Sequence, residues 1–105
     1  MEDIKHSLKA FADEHKITER TWENFWYNFD SYITEDREEA LKYGITDKDS
    51  IIPEFFSLAY KIFHDDSEMI VATIRMYDKE YRYLGYYDDL FDMNGEGVDD
   101  FFVIE

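Results

Sequence analysis

The sequence predicts an α+β fold: three to four N-terminal helices packed on a small C-terminal antiparallel sheet. Three observations carry that expectation. Apolar residues recur at three- and four-residue steps through the first half, β-branched and tyrosine residues crowd the stretch after Met69, and Asn94-Gly95 supplies a turn signal before a last apolar run. An all-α bundle, with residues 67–85 as one long helix, is the alternative. The 105 residues suit one domain. With 45% hydrophobic and 19% aromatic residues, four Gly and one Pro, the chain has too many large apolar groups to be collagen-like, low-complexity or mostly disordered.

In residues 3–15, Ile4, Leu8, Phe11 and Ala12 share one helical face with charged residues between them. Thr18 is the candidate N-cap of a second helix, whose stripe Trp22, Phe25, Trp26, Phe29 and Ile33 reads as core. A third, short helix starts near Thr34 or Glu35. Its acids Glu35, Asp36, Glu38 and Glu39 suit a helix N-terminus, and it stops at Gly44. Residues 45–50 form a polar connector. Pro53 then fits a first helical turn, and Phe55, Phe56, Leu58, Ala59, Tyr60, Ile62 and Phe63 predict a fourth, central helix. Met69–Tyr77 and Glu80–Tyr87 predict two strands joined near Asp78-Lys79, because Ile70, Val71, Thr73 and Ile74 are all β-branched. Ile70, Ile74, Tyr77 and Tyr81 also fit a helix. Phe101–Ile104 predicts a last strand.

Charge decides which functions the composition excludes. Twenty-six acidic residues against eleven basic ones give a net charge of −15, a field that repels nucleic acid and anionic lipid and draws basic partners inward. Direct nucleic-acid and membrane binding are not expected. Without cysteine there is no disulfide framework, thiolate metal site, cysteine nucleophile, prenyl or palmitoyl anchor, and Glu2 stands where myristoylation needs glycine. The start Met1-Glu2-Asp3-Ile4 shows no basic-then-apolar leader, and no window of the sequence approaches the roughly 20 apolar residues of a membrane span, so a cytoplasmic location is expected.

The motifs that carry chemistry are sparse. Asp92-Met93-Asn94-Gly95-Glu96-Gly97 matches the first half of an EF-hand loop, but the twelfth position, where a bidentate carboxylate closes such a site, is Val103. An acidic Gly-containing turn is the expected reading. His6, His15 and His64 sit on separate stretches outside any two-His zinc pattern. Paired carboxylates such as Glu38-Glu39 and Asp88-Asp89 are frequent, yet acid–base catalysis needs a cleft that separates two pKa values, and adjacency in sequence does not make one. With no G-x-S-x-G, phosphate-binding or dinucleotide loop either, no enzyme, cofactor or small-molecule ligand is expected.

The tyrosines point instead to a protein surface. Tyr83–Glu105 contains seven acids and no Lys, Arg or His, and tyrosine offers large contact area at small entropic cost. Tyr83, Tyr86, Tyr87, Asp88, Asp89, Asp92, Glu96, Asp99 and Asp100 are therefore the candidate partner-binding residues. Asp65, Asp66 and Glu68 form a second acidic cluster on the same face or capping the next element. The alternative is a sheet face filled by tyrosines and kept soluble by the acids.

Leu8-Lys9-Ala10-Phe11 through Lys16-Ile17-Thr18 to Trp22-Glu23-Asn24-Phe25, with Glu54-Phe55-Phe56 later, resembles small acidic bacterial immunity proteins of nuclease toxins. These belong to bacteriocin and contact-dependent growth inhibition systems, and the similarity is to the colicin D type. It spans roughly residues 8–63. The Tyr-rich ending departs from that family's helical bundle, and no family site residue carries over. The resemblance implies a cognate basic nuclease as partner, its phosphate-binding groove filled by carboxylates and its base-stacking positions by Tyr rings. A phage-encoded mimic of nucleic acid aimed at a host defence enzyme would use the same physics. A regulatory adaptor binding through apolar surface is the third expectation.

Overall fold

A computed structural model describes residues 2–105. The chain runs α1 (Glu2–Glu14), α2 (Ile17–Glu35), α3 (Arg37–Lys42), a 3-10 turn at Lys48–Ser50, then β1 (Ile52–Ile62), β2 (Glu68–Tyr77), β3 (Tyr83–Phe91) and β4 (Gly97–Ile104). The strands form an antiparallel meander in the order β1-β2-β3-β4. The α+β expectation holds. No helix among the described residues is long and apolar enough to cross a membrane.

The first two helices follow the sequence closely, but Thr18 is not the cap between them. Lys16 is the N-cap residue, in the left-handed region at φ 53°, and buried Ile17 starts α2 directly. That single left-handed residue turns the chain, and the Arg20 amide donates to the Lys16 carbonyl at 3.0 Å. At the end of α3, Gly44 (φ 75°) gives the expected stop. The Ile45 amide reaches the Ala40 carbonyl at 2.9 Å and the Gly44 amide reaches Leu41 at 3.1 Å, the paired bonds of a Schellman ending.

The predicted fourth helix is wrong: residues 52–62 are β1, an edge strand. A bulge explains why the pattern misleads. Phe55 lies opposite Ile74 and Ser57 opposite Thr73, so Phe56 is an extra residue in the ladder. The bulge brings Phe55 and Leu58, three apart, to the same helix-facing side, a spacing that imitates a helical face. Pro53 is tolerated because β1 is at the edge, where a missing N–H breaks no ladder.

One face of the sheet packs on the helices. Phe25, Phe29 and Tyr32 of α2 meet Ile74, Met76 and Tyr87, and Trp22, Trp26, Ile33 and Phe102 close around them half-buried. Ring contacts knit this layer, with Phe25 at 6.0 Å from Tyr87 and Tyr32 at 5.3 Å from Phe102 between centroids. A second cluster beneath α1 joins Ala12 and Ile17 to Ile70, Ala72 and Phe91. Gly85 is needed where β3 passes β4: a Cβ there would lie 2.0 Å from the Val103 carbonyl oxygen.

Candidate protein-binding surface

The other face of the sheet carries no helix. Strand alternation puts Thr73 and Arg75 of β2, Tyr86 and Asp88 of β3, and Asp99, Phe101 and Val103 of β4 on it. The ladder sets them in rows, Ser57–Thr73–Asp88–Phe101 and Glu54–Arg75–Tyr86–Val103. Phe56, Thr73, Arg75, Tyr83, Tyr86 and Asp88 line a shallow depression of about 310 Å³. The Arg75 guanidinium carbon lies 3.6 Å from the Phe56 ring centroid and 5.5 Å from that of Tyr83, cation–π contacts that hold these rings in place.

Carboxylates edge the rings. Asp88 accepts the Thr73 hydroxyl at 2.5 Å, and Tyr83 donates to Glu105 at 2.8 Å. Partial burial and that bond push the Tyr83 phenol up to about 12, so it stays a neutral donor. Asp99 is exposed near the start of β4, and Phe101 beside it remains 48% exposed. Phe56 is 53% exposed and Tyr83 42%. These rings lie open to solvent with no covering layer.

The meander brings the β1–β2 and β3–β4 turns to one end of the sheet, uniting Asp65, Asp66, Glu68, Asp92 and Glu96 there. Their oxygens are partly engaged. Asp65 Oδ1 accepts from the Ser67 hydroxyl at 2.7 Å and the Ser67 amide at 3.0 Å, bonds that hold its carboxyl below the usual range. Asp92 Oδ1 accepts from the amides of Asn94 and Glu96 at 2.9 and 3.0 Å, and Glu68 accepts the Tyr60 hydroxyl. The half EF-hand is thus a hairpin turn whose first acid binds its own backbone. Among the described residues, no three acidic or histidine side chains gather into a metal-holding group.

Tyr87, Asp89 and Asp100 lie on the helix-facing side. Tyr87 is fully buried and Asp89 is 3% exposed, so these two drop out of the predicted surface. Asn24 Nδ2 donates to Asp89 at 2.9 Å, while Asn28 Nδ2 and the Tyr87 hydroxyl donate to Asp100 at 3.1 and 2.6 Å. Burial raises the Asp89 carboxyl, and the Asp100 charge raises it further against the lowering bond from Asn24. This is a polar seam tying α2 to the sheet.

Of the twelve predicted residues, Tyr83, Tyr86, Asp88 and Asp99 therefore share the helix-free face, and five acids share one end of the sheet. Phe56, Arg75, Phe101 and Glu105 complete the surface and were not singled out from the sequence. Alternation held the clue for Arg75, the charged residue between helix-facing Ile74 and Met76. No protein-family model, no curated protein and no solved structure matches the chain.

Proposed function

We propose that this protein binds a basic protein and inhibits it, the partner being a nuclease whose nucleic-acid groove the inhibitor covers. One observation carries the reading: an uncovered sheet face of aromatic rings edged by carboxylates, on a chain of net charge −15. A nuclease groove presents Lys and Arg where phosphates sit. Asp88, Asp99 and Glu105 offer oxygens to such groups, and Phe56, Tyr83 and Phe101 offer ring area for the apolar part of the contact. The Arg75 guanidinium lies over the Phe56 and Tyr83 rings and orients them. The acids of the two turns extend the negative field beyond the contact itself and speed encounter.

The resemblance to immunity proteins of nuclease toxins fits this reading, as does action in a reducing cytosol, which a cysteine-free domain suits. The test is affinity capture from the source lysate at about 50 mM and 500 mM salt, where screening weakens a charge-steered complex. The captured protein is then assayed for nuclease activity with and without the purified chain. The reading expects a small basic nuclease, retained chiefly at low salt and silenced by one equivalent of the chain. A captured protein that cleaves nothing, or cleaves equally well with the chain bound, refutes it.

A further inference from the structure

We infer that the free edge of β4 accepts an extended, cationic strand from the basic partner, adding a fifth strand to the sheet. This inference rests on the basic-partner reading above and names how that partner docks. The ladder phase fixes which groups are free. The Glu105 amide donates to the Leu84 carbonyl at 2.9 Å, so Glu105 and every second residue before it turn their backbone groups toward β3. The N–H and C=O groups of Asp100, Phe102 and Ile104 consequently point away from β3, into the open edge. Asp99 Oδ1 holds the Asp100 amide at 2.8 Å, leaving Phe102 and Ile104 as the free donors.

The two edges of the sheet are guarded differently. β1 carries Pro53, the bulge at Phe56 and Lys61, three devices that discourage strand addition. β4 (GVDDFFVI) has no proline and no lysine, and its bulge lies at the Gly97 end. Over Phe101–Ile104, beyond that bulge and the occupied Asp100 amide, its guard is negative charge, from Asp99 and Asp100 on one side and Glu105 on the other. Such a guard repels a second copy, which brings the same acids and another −15, and attracts a strand of opposite sign. Charge complementarity thus selects the occupant. On the helix-free side, its side chains meet Asp99, Phe101, Val103 and Glu105 in turn, so the favoured face pattern is basic, apolar, apolar, basic at alternate positions.

The probe is the capped peptide Lys-Thr-Val-Thr-Val-Thr-Lys, titrated into the full chain, with amide hydrogen exchange read by NMR. At a peptide concentration roughly ten times the dissociation constant, exchange at Phe102 and Ile104 should slow about tenfold, while Leu58 and Tyr60 at the opposite edge stay unchanged. Ile104→Pro removes an edge donor without touching the β3 ladder and should weaken binding about tenfold. Should that variant not fold, exposed Asp99→Lys, which places a like charge beside the incoming strand, is expected to weaken binding as much. Peptide binding without protection of the two amides overturns edge docking and leaves the basic-partner reading intact. Equal binding of Glu-Thr-Val-Thr-Val-Thr-Glu, no binding of the cationic peptide, or a dimer paired through β4 also overturns the inference. Protection by the peptide together with a captured partner that is not basic would instead retain the edge site and remove the proposed function.

Discussion

Asp89 and Asp100 stand directly opposite one another across β3 and β4 on the side covered by α2, each bonded to an asparagine of that helix, Asn24 and Asn28, one turn apart. Two carboxylates in register are unfavourable neighbours, and the amide donors with the Tyr87 hydroxyl are what offset their repulsion.

Asp89→Asn removes the buried charge of this pair. Burial raises the Asp89 carboxyl, so between its unfolded and folded values the folded state holds more protons and its stability falls as pH rises. The asparagine keeps an oxygen to accept from Asn24 and carries no charge. It should be more stable than the parent at neutral pH, by about 1 kcal/mol, with the gain shrinking as pH falls toward the ordinary carboxylate range. Urea melts of both proteins across that pH range measure the difference, and a constant gap contradicts the argument.

Tyr87→Phe removes the hydroxyl that donates to Asp100 at 2.6 Å, at a cost of about 1–2 kcal/mol. The Tyr87 phenol is raised well above its ordinary 10.0 by burial first and the bond to Asp100 second. Its contribution is fully present below pH 10.0 and is lost as pH climbs through the raised value, because the unfolded chain ionises first. Alkaline unfolding followed by phenolate absorbance should therefore be shallower in the variant.

Gly95 joins the β3–β4 turn to the α1–α2 junction. Its carbonyl accepts from Arg20 Nη1 at 2.6 Å, and an added Cβ would lie 2.2 Å from His15 Nδ1 in a backbone at φ 80°. Gly95→Ala is expected to destabilise by about 1–3 kcal/mol through strain and displacement of His15. Gly97→Ala in the same hairpin meets open space and serves as the control. Equal melting of the two variants would show that the turn does not anchor the helices.

Phe101→Ala should weaken partner binding while leaving stability within about 0.5 kcal/mol of the parent, because the ring is 48% exposed on the helix-free face. Calorimetric binding and thermal melting separate the two effects. A large loss of stability would place Phe101 in the core instead.

The second helix was legible from its period, Phe25 and Phe29 one helical turn apart, and the hairpin from composition: Ile70, Val71, Thr73 and Ile74 are β-branched, although Ile70, Val71 and Ala72 are buried in a row and blur the alternation. β1 was misread because its bulge at Phe56 replaces a spacing of two by a spacing of three. For the surface, counting acids along the chain could not tell Asp88 from Asp89, since neighbouring strand residues face opposite sides. Nor could it see that Arg75, distant in sequence from Phe56, lies over its ring. The acids beside Tyr87 suggest a surface residue, whereas its place in the alternation, matched to Ile74, puts it in the core.

Inhibition through the acidic sheet face is tested by titrating the captured nuclease with the parent chain and with the Asp99→Lys/Glu105→Lys double variant, at about 50 mM and 500 mM salt. Both substituted residues are exposed. The prediction is stoichiometric inhibition by the parent at low salt, and a loss of affinity of about tenfold or more in the variant that narrows as salt rises. Inhibition that is equally tight for both proteins, and indifferent to salt, would contradict it.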